Sequence, residues 1–265
     1  MTTGPEEMDI PGGPMTKRSV NFYWLLDCSG SMSVNGKMAA LNTAIREAVP
    51  ELRSVAQGYP AAQLLIRTVR FSERADWHGP GATAIETYVW NDLVAAGGST
   101  AMGSAFKLVA DEFQSPTMPS RAMRPVLVLV SDGQPTDDWR SGLRAIEATD
   151  WGRKAVRVAV AIGDDADRQM MQEFVNDPEL PVLRAQNGKQ IAAAIRWAST
   201  NALNMASSGS GSPSPGAGTS RGGGAASTTF GAAPTVTRTR TRFPFGAGSA
   251  QPHGNILDDD PDFFD

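Results

Sequence analysis

VNFYWLLDCSGS, residues 20–31, reads as a strand that runs straight into a loop of oxygen donors. The fold class follows from that reading. Residues 20–26 are continuously apolar and aromatic, too short for a helix of normal length and without polar alternation, which is the pattern of a central strand covered on both faces. Asp27 ends the run. Residues 37–57 then place Met38, Leu41, Ile45, Val49 and Leu52 at helical spacing, with Gly58 closing the segment, so the first unit is strand, loop, helix.

The same unit recurs outward along the chain. Residues 63–71 (QLLIRTVRF) read as a second strand, and residues 125–130 (PVLVLV) are the purest β signal present, running directly into Ser131, Asp132 and Gly133. Gly97 and Gly98 break the chain before Ser99 and Thr100, after which Met102, Ala105, Phe106, Val109 and Phe113 form one helical stripe. Residues 156–162 read as another buried strand, followed by a helix over 167–176, a short strand over 181–184 and a helix from 189 to about 205. Gly79, Pro80 and Gly81 mark a turn between extended segments, and residues 88–93 read as a strand of an edge hairpin. Strands alternating with helices imply right-handed crossovers and an open, mostly parallel, doubly wound α/β sheet with helices on both faces and one antiparallel edge strand. In such a sheet the ligand site lies beyond the carboxyl ends of the strands, where strand order reverses.

Three polar clusters fall at that end: Asp27-Cys28-Ser29-Gly30-Ser31, Gly98-Ser99-Thr100 and Ser131-Asp132-Gly133. The first offers a carboxylate and two hydroxyls at alternating positions of a tight loop, the second a Thr hydroxyl, the third another carboxylate. Oxygen-only donors suit a hard cation, and a set with hydroxyls and few carboxylates suits Mg2+ better than a calcium cage, with Mn2+ and Ca2+ as the other candidates. An ion held largely by neutral hydroxyls stays electrophilic, and an Asp or Glu of a protein partner can complete its coordination.

The pattern D-x-S-x-S, then Thr100, then Asp132 resembles the metal-ion-dependent adhesion site of von Willebrand factor A domains, over residues 18–206. The resemblance implies metal bonds from Ser29, Ser31 and Thr100, and from Asp27 and Asp132 directly or through water. It also implies the open α/β sheet already read from the strand pattern. Within that family the third loop, Val130-Ser131-Asp132-Gly133-Gln134-Pro135-Thr136-Asp137-Asp138-Trp139, is most similar to bacterial tellurium-resistance-type proteins. Those are often associated with a Ser/Thr protein kinase and a PP2C-type phosphatase, so the resemblance implies a phosphorylation-signalling, stress-response setting. The chain departs from relatives that carry a cysteine-rich C-terminal metal module, and nothing residing in that module carries over.

Composition narrows the classes. With 24 basic and 28 acidic side chains and a net charge of -4, the chain has no broad positive field for non-specific nucleic-acid binding. A single cysteine, Cys28, excludes an internal disulfide framework and a multi-Cys zinc ribbon, and fits a reducing compartment. Residues 1–17 are polar, flexible in character and without an apolar core of a secretion signal; no uncharged run is long enough to span a bilayer. The expected location is the cytoplasm, with no membrane partner. Residues 207–265 are rich in Gly, Ser and Pro and bury too little apolar surface to offset ordering entropy, so a disordered tail is expected. It carries a Thr-Arg repeat over 235–242, whose threonines are plausible kinase substrates, and an acidic aromatic end over 258–265. The acidic end could also occupy the metal site of the same or another chain.

Other chemistries fit less well. A serine hydrolase needs an imidazole base, yet His78 stands beside Gly79-Pro80 as a turn residue, His253 is in the tail, and Ser29 lacks a G-x-S-x-G elbow. An aspartyl phosphotransferase would want a second carboxylate two residues after Asp27, where Ser29 stands. No G-x-x-x-x-G-K-[ST] loop is present. Cys28 reads as core filler rather than a redox group, and Asp164, Asp165 and Asp167 as helix capping rather than a second cation site. Trp139 and Trp151 read as helix packing. The expectation is a non-enzymatic, metal-dependent interaction module, with a metal-dependent phosphotransferase or hydrolase and a self-associating assembly subunit as the alternatives.

Overall fold

The computed structural model describes residues 17–116, 118 and 121–208. In chain order these form β1 (Arg18–Asp27), α1 (Lys37–Gln57), β2 (Ala62–Phe71), β3 (Ala75–Ala84), α2 (Met102–Gln114), β4 (Val126–Ser131), α3 (Trp139–Ala148), α4 (Asp150–Lys154), β5 (Val156–Ile162), α5 (Arg168–Val175), β6 (Leu183–Ala185) and α6 (Gly188–Ser208). A kinked 3-10 segment, Gly30–Gly36, joins β1 to α1. The tail features at 235–242 and 258–265, His253 and residues 1–16 lie outside the described residues.

The strands form one six-stranded sheet in the order β3-β2-β1-β4-β5-β6, parallel throughout except for β2 and β3. The expected doubly wound α/β sheet with one antiparallel edge is therefore present. Strand order reverses between β1 and β4. From β1 the chain crosses over α1 to β2 on one side, and from β4 it crosses to β5 on the other. Leu26 is in register with Val130, so Asp27 and Ser131 end neighbouring strands at the switch point.

Side-chain alternation along β1 builds two cores, one on each face of the sheet. Phe22, Trp24 and Leu26 point to one face, where Leu41, Ile45 and Leu52 of α1 and Ile191, Ile195 and Leu203 of α6 cover them. Tyr23 and Leu25 point to the other face, against Phe106 and Val109 of α2, Leu143 and Ile146 of α3, and Phe174 of α5. Each of these large side chains contributes about 1.5–3 kcal/mol by leaving water. Trp24 keeps its indole N–H satisfied by donating to Ser199 Oγ at 3.2 Å. No described helix is long and apolar enough to cross a membrane.

Two readings of the edge are corrected. Gly79, Pro80 and Gly81 do not form the hairpin turn. They lie within β3, where the pairing shifts register between Ile66 and Thr68 and where Gly79 and Gly81 take φ of 95° and 126°. Pro cannot donate to a ladder and glycine accepts positive φ, so on an edge strand this run makes an irregularity rather than a reversal. The turn is Ser72-Glu73-Arg74, closed by the Ser72 N–H donating to the Arg74 carbonyl at 3.0 Å. Residues 88–93, in turn, do not pair as a strand. Tyr88, Trp90 and Leu93 are buried and Val89 is exposed, which is the alternation that suggested one. Side chains take up their backbone groups instead: Asn42 Oδ1 accepts from the Leu93 N–H at 2.8 Å, Asn42 Nδ2 donates to the Leu93 carbonyl at 2.9 Å, Arg53 donates to the Tyr88 carbonyl and to that of Ile85 just before, and the Asn91 carbonyl lies 2.8 Å from His78 Nε2. Helices α3 and α4 are given no range by the sequence reading, which places only Trp139 and Trp151 in helix packing. Trp139, Leu143 and Ile146 supply the buried stripe of α3, and Thr149 ends it while its hydroxyl caps α4 by accepting from the Gly152 N–H at 2.9 Å.

Candidate metal centre

Asp27 is the last residue of β1 and is fully buried. Its Oδ1 accepts from the Ser29 N–H at 2.8 Å, the i to i+2 bond that turns the loop back over the strand end. Its Oδ2 accepts from Ser131 Oγ, whose own lone pair takes the Gly133 N–H at 3.2 Å. Adjacent strand ends are thus tied through one carboxylate. Burial pushes the Asp27 carboxyl above its ordinary range; the bonds from Ser131 and Ser29 oppose that shift and the nearby Asp132 adds to it.

A second chain of contacts links the first and third loops. Ser31 Oγ donates to Asp132 Oδ1 at 2.7 Å, across 101 residues of sequence, and shares a hydrogen bond with Ser29 Oγ at 3.0 Å. Because the Ser31 proton goes to Asp132, the Ser29 hydroxyl must be the donor in that second bond. Ser29 and Asp132 are buried, whereas Ser31 faces outward.

Thr100 arrives from the loop before α2 and is pinned by the third loop. Its N–H donates to Thr136 Oγ1 at 3.0 Å and its carbonyl accepts from the Thr136 N–H, also at 3.0 Å. Asp137 reinforces this by accepting from the Gly103 and Ser104 N–H groups at 2.7 and 2.8 Å, which caps the first turn of α2 from across the site. A side chain placed on Gly133 would meet, apart from its chain neighbours, only Thr100 Oγ1 at 3.5 Å and Ser31 Oγ at 3.9 Å within 4 Å. Gly133 therefore leaves a small space flanked by hydroxyls of two different loops.

All five residues read from the sequence as ligands, Asp27, Ser29, Ser31, Thr100 and Asp132, come from the strand ends around the switch point. Hydrogen bonds join four of them in one chain, Asp27 to Ser29 to Ser31 to Asp132, and the Thr100 hydroxyl borders the Gly133 space. Among the described residues no cluster of three or more His, Cys, Asp or Glu side chains comes together, so the donors here are two carboxylates and three hydroxyls. Such a set matches a hard oxygen-liking cation and not a soft one. The space that a Cβ on Gly133 would fill and the convergence of hydroxyls upon it fit that group.

Lys37 was missed in the sequence. It is the first residue of α1, and its Nζ contacts Asp132 Oδ2 at 2.7 Å with the Lys side chain 18% and the Asp side chain 0% exposed. A cation in the first turn of a helix opposes the helix dipole, and that mismatch was the one available signal that Lys37 has a partner elsewhere. Of the other readings, the turn at His78 is corrected, because His78 lies within β3 in register with Thr68. Cys28 packs in the α1 core, and burial, with Asp27 adding and Arg70 opposing, pushes its thiol up to about 12, so it stays an inert thiol. His78 has its Nε2 on the Asn91 carbonyl at 2.8 Å. Asp167 caps α5 by accepting from the Met170 N–H at 2.9 Å, and Asp164 pairs with Arg184 at 3.2 Å.

Comparison with known proteins extends these observations. No curated protein sequence matches the chain. Among solved structures, the pilus adhesin SpaC from Lactobacillus rhamnosus GG is 14% identical with a TM-score of 0.55, covering 73% of this chain and 31% of its own. A von Willebrand factor type A protein from Catenulispora acidiphila is 18% identical with a TM-score of 0.53, covering 71% and 43%. Proximal thread matrix protein 1 from the mussel byssus, in a form described with a zinc-occupied MIDAS motif, is 15% identical with a TM-score of 0.54, covering 69% and 48%. The chain thus spans 31% to 48% of the length of these structures, and at such identities the likeness is one of fold. The expected cytoplasmic location is corrected by the same comparison: a byssus thread matrix protein and a pilus adhesin, both outside the cell, are built on this fold. Nothing in it singles out the tellurium-resistance type. The family model for the von Willebrand factor type A domain matches residues 21–198, an interval that begins inside β1, ends inside α6 and contains all five candidate ligands, and the chain belongs to that family.

Proposed function

We propose that the chain is a protein-interaction module whose strand-end loops hold one divalent cation, Mg2+ or in its place Mn2+ or Ca2+, and present it to an Asp or Glu of a protein partner. Ser29, Ser31 and Thr100 would hold the ion through their hydroxyls, with Asp27 and Asp132 acting directly or through water. The cation would supply an electrophilic point that the hydroxyls do not neutralise, and a partner carboxylate is the strong anionic ligand that completes it. The observation that carries this reading is the placement of the Thr100 and Ser31 hydroxyls, from loops that are distant in sequence, both within 4 Å of the position a side chain on Gly133 would take. Membership of the von Willebrand factor type A family supports it, as does a relative described with an occupied metal-binding motif.

Isothermal titration with MgCl2, MnCl2 and CaCl2 tests the reading. Wild type is expected to bind one ion, and Asp27→Ala to lose binding by about 100-fold, together with any metal-dependent capture of a Glu-containing peptide. A folded wild-type protein that takes up none of the three ions at millimolar concentration would overturn it. The setting proposed on the third loop, Ser131 to Trp139, is the tellurium-resistance type, with a Ser/Thr kinase and a PP2C-type phosphatase as partners. Capture of both from the native cell in Mg2+, and of neither in chelator or by Asp27→Ala, is the expected result.

The non-enzymatic reading is supported by the commitments of the polar groups. His78, the only described histidine, is held by the Asn91 carbonyl and Trp90, so neither Ser29 nor Ser31 has a described imidazole base.

A further inference from the structure

We propose that Lys37 is a tethered cation that competes with the divalent ion for Asp132, so that metal entry drives the ammonium out of the site. The inference rests on the reading of these loops as a cation centre and adds a control on its occupancy. Asp132 is almost completely buried, and its two oxygens are taken by two protein donors: Ser31 Oγ at Oδ1 and Lys37 Nζ at Oδ2, each at 2.7 Å. A buried carboxylate needs such neutralisation, because an uncompensated charge there is strongly destabilising. Lys37 supplies it from an unfavourable place, the first turn of α1, where the helix dipole repels a cation.

A divalent ion that reaches Asp132 enters next to this ammonium. Two like-signed charges a few ångströms apart in a partly dry site repel strongly, and one carboxylate cannot satisfy both. The geometry leaves the lysine a way out. On the β5 side the ammonium borders Gly163, where an added side chain would meet, apart from its chain neighbours, only Lys37 Nζ within 4 Å, at 3.9 Å. The lysine side chain is already 18% exposed, so its head can move to water with little loss of packing. Metal affinity is therefore lowered by the work of displacing Lys37, and an arriving acidic partner meets the ion and a released ammonium beside it.

Lys37→Met keeps the stem and removes the charge; Lys37→Arg keeps the charge. Mg2+ titration calorimetry should show Lys37→Met binding about tenfold or more tightly than wild type, with Lys37→Arg staying in the wild-type range. The metal-free Lys37→Met protein should melt lower than wild type, because Asp132 loses its counter-ion, and gain more in melting temperature from Mg2+. Wild type provides a second measurement that does not depend on any variant folding: acylation of Lys37, read by mass spectrometry, should rise on saturation with Mg2+. Equal or weaker Mg2+ affinity in folded Lys37→Met, or Lys37 labelling unchanged by saturating Mg2+, overturns the competition while leaving the metal centre standing. Absence of Mg2+ binding in both wild type and Lys37→Met overturns the metal reading as well.

Discussion

Gly133 stands beside the Thr100 and Ser31 hydroxyls with a φ outside the left-handed region, so its lack of a side chain serves space and not backbone conformation. An alanine there would sit at ordinary contact distance from both hydroxyls. Gly133→Ala is accordingly expected to keep urea stability within about 1 kcal/mol of wild type while weakening Mg2+ binding by about tenfold or more. Full metal affinity in that variant would place the ion elsewhere. The five candidate ligands were legible at this scale because each falls in a polar cluster at the end of a recognisable strand or shortly before a recognisable helix. Lys37 was not, since its partner is 95 residues away in sequence and no local pattern connects them. Ser131 was visible in its cluster, but its role as the tie between Asp27 and the Gly133 N–H depends on two strands being neighbours.

Helices α2 and α3 meet through glycines, and that contact sets the position of Thr100. A side chain on Gly103 would meet the Asp138 carbonyl oxygen at 2.6 Å, and one on Gly142 would overlap the Gly103 carbonyl oxygen and approach the Phe106 Cβ at 2.9 Å. Backbone atoms cannot give way as a flexible side-chain tip can. Gly142→Ala is expected to cost about 2–3 kcal/mol in urea unfolding, as overpacking does, and to weaken Mg2+ binding as well by shifting the start of α2 away from Gly133. Unchanged stability in that variant would mean that the two helices are free to separate. Long amphipathic or wholly apolar elements, such as α1, β1 and β4, were readable from periodicity alone. The segment 88–93 was misread because its alternation is real while its hydrogen bonds go to Asn42 and Arg53 side chains instead of to a neighbouring strand.

At the scale of the molecule, the two faces of the sheet bury phenols as well as hydrocarbon. Tyr23 sits in the α2 core, and burial, with Glu112 adding and Arg67 opposing, holds its pKa above the ordinary tyrosine range. Tyr88 lies in the α1 core and is raised by burial, with its bond to Thr68 opposing. A group whose folded pKa is raised contributes stability that is complete below its ordinary pKa, about 10 for tyrosine, and is lost as pH climbs toward the folded value. The chain is therefore expected to lose stability progressively above pH 10. The tyrosinate absorbance of Tyr23 and Tyr88 should appear together with the loss of helical circular dichroism, not before it. Ionisation of both phenols in a still-folded protein would contradict the packing described for the two cores.

The alternation of strands and helices, the mostly parallel sheet with its antiparallel edge, and the candidate oxygen donors are all legible in the chain's local patterns, because apolar periodicity and the residues that follow a strand are local properties. Which of these side chains meet is a long-range outcome of folding. The reversal of strand order between β1 and β4 brings Asp27 beside Ser131 and Ser31 beside Asp132, and the close approach of two helices at Gly103 and Gly142 sets Thr100 over Gly133. The same folding places a lysine ammonium against the carboxylate expected to hold a metal, a pairing that arises only when α1 and β4 share one end of the sheet.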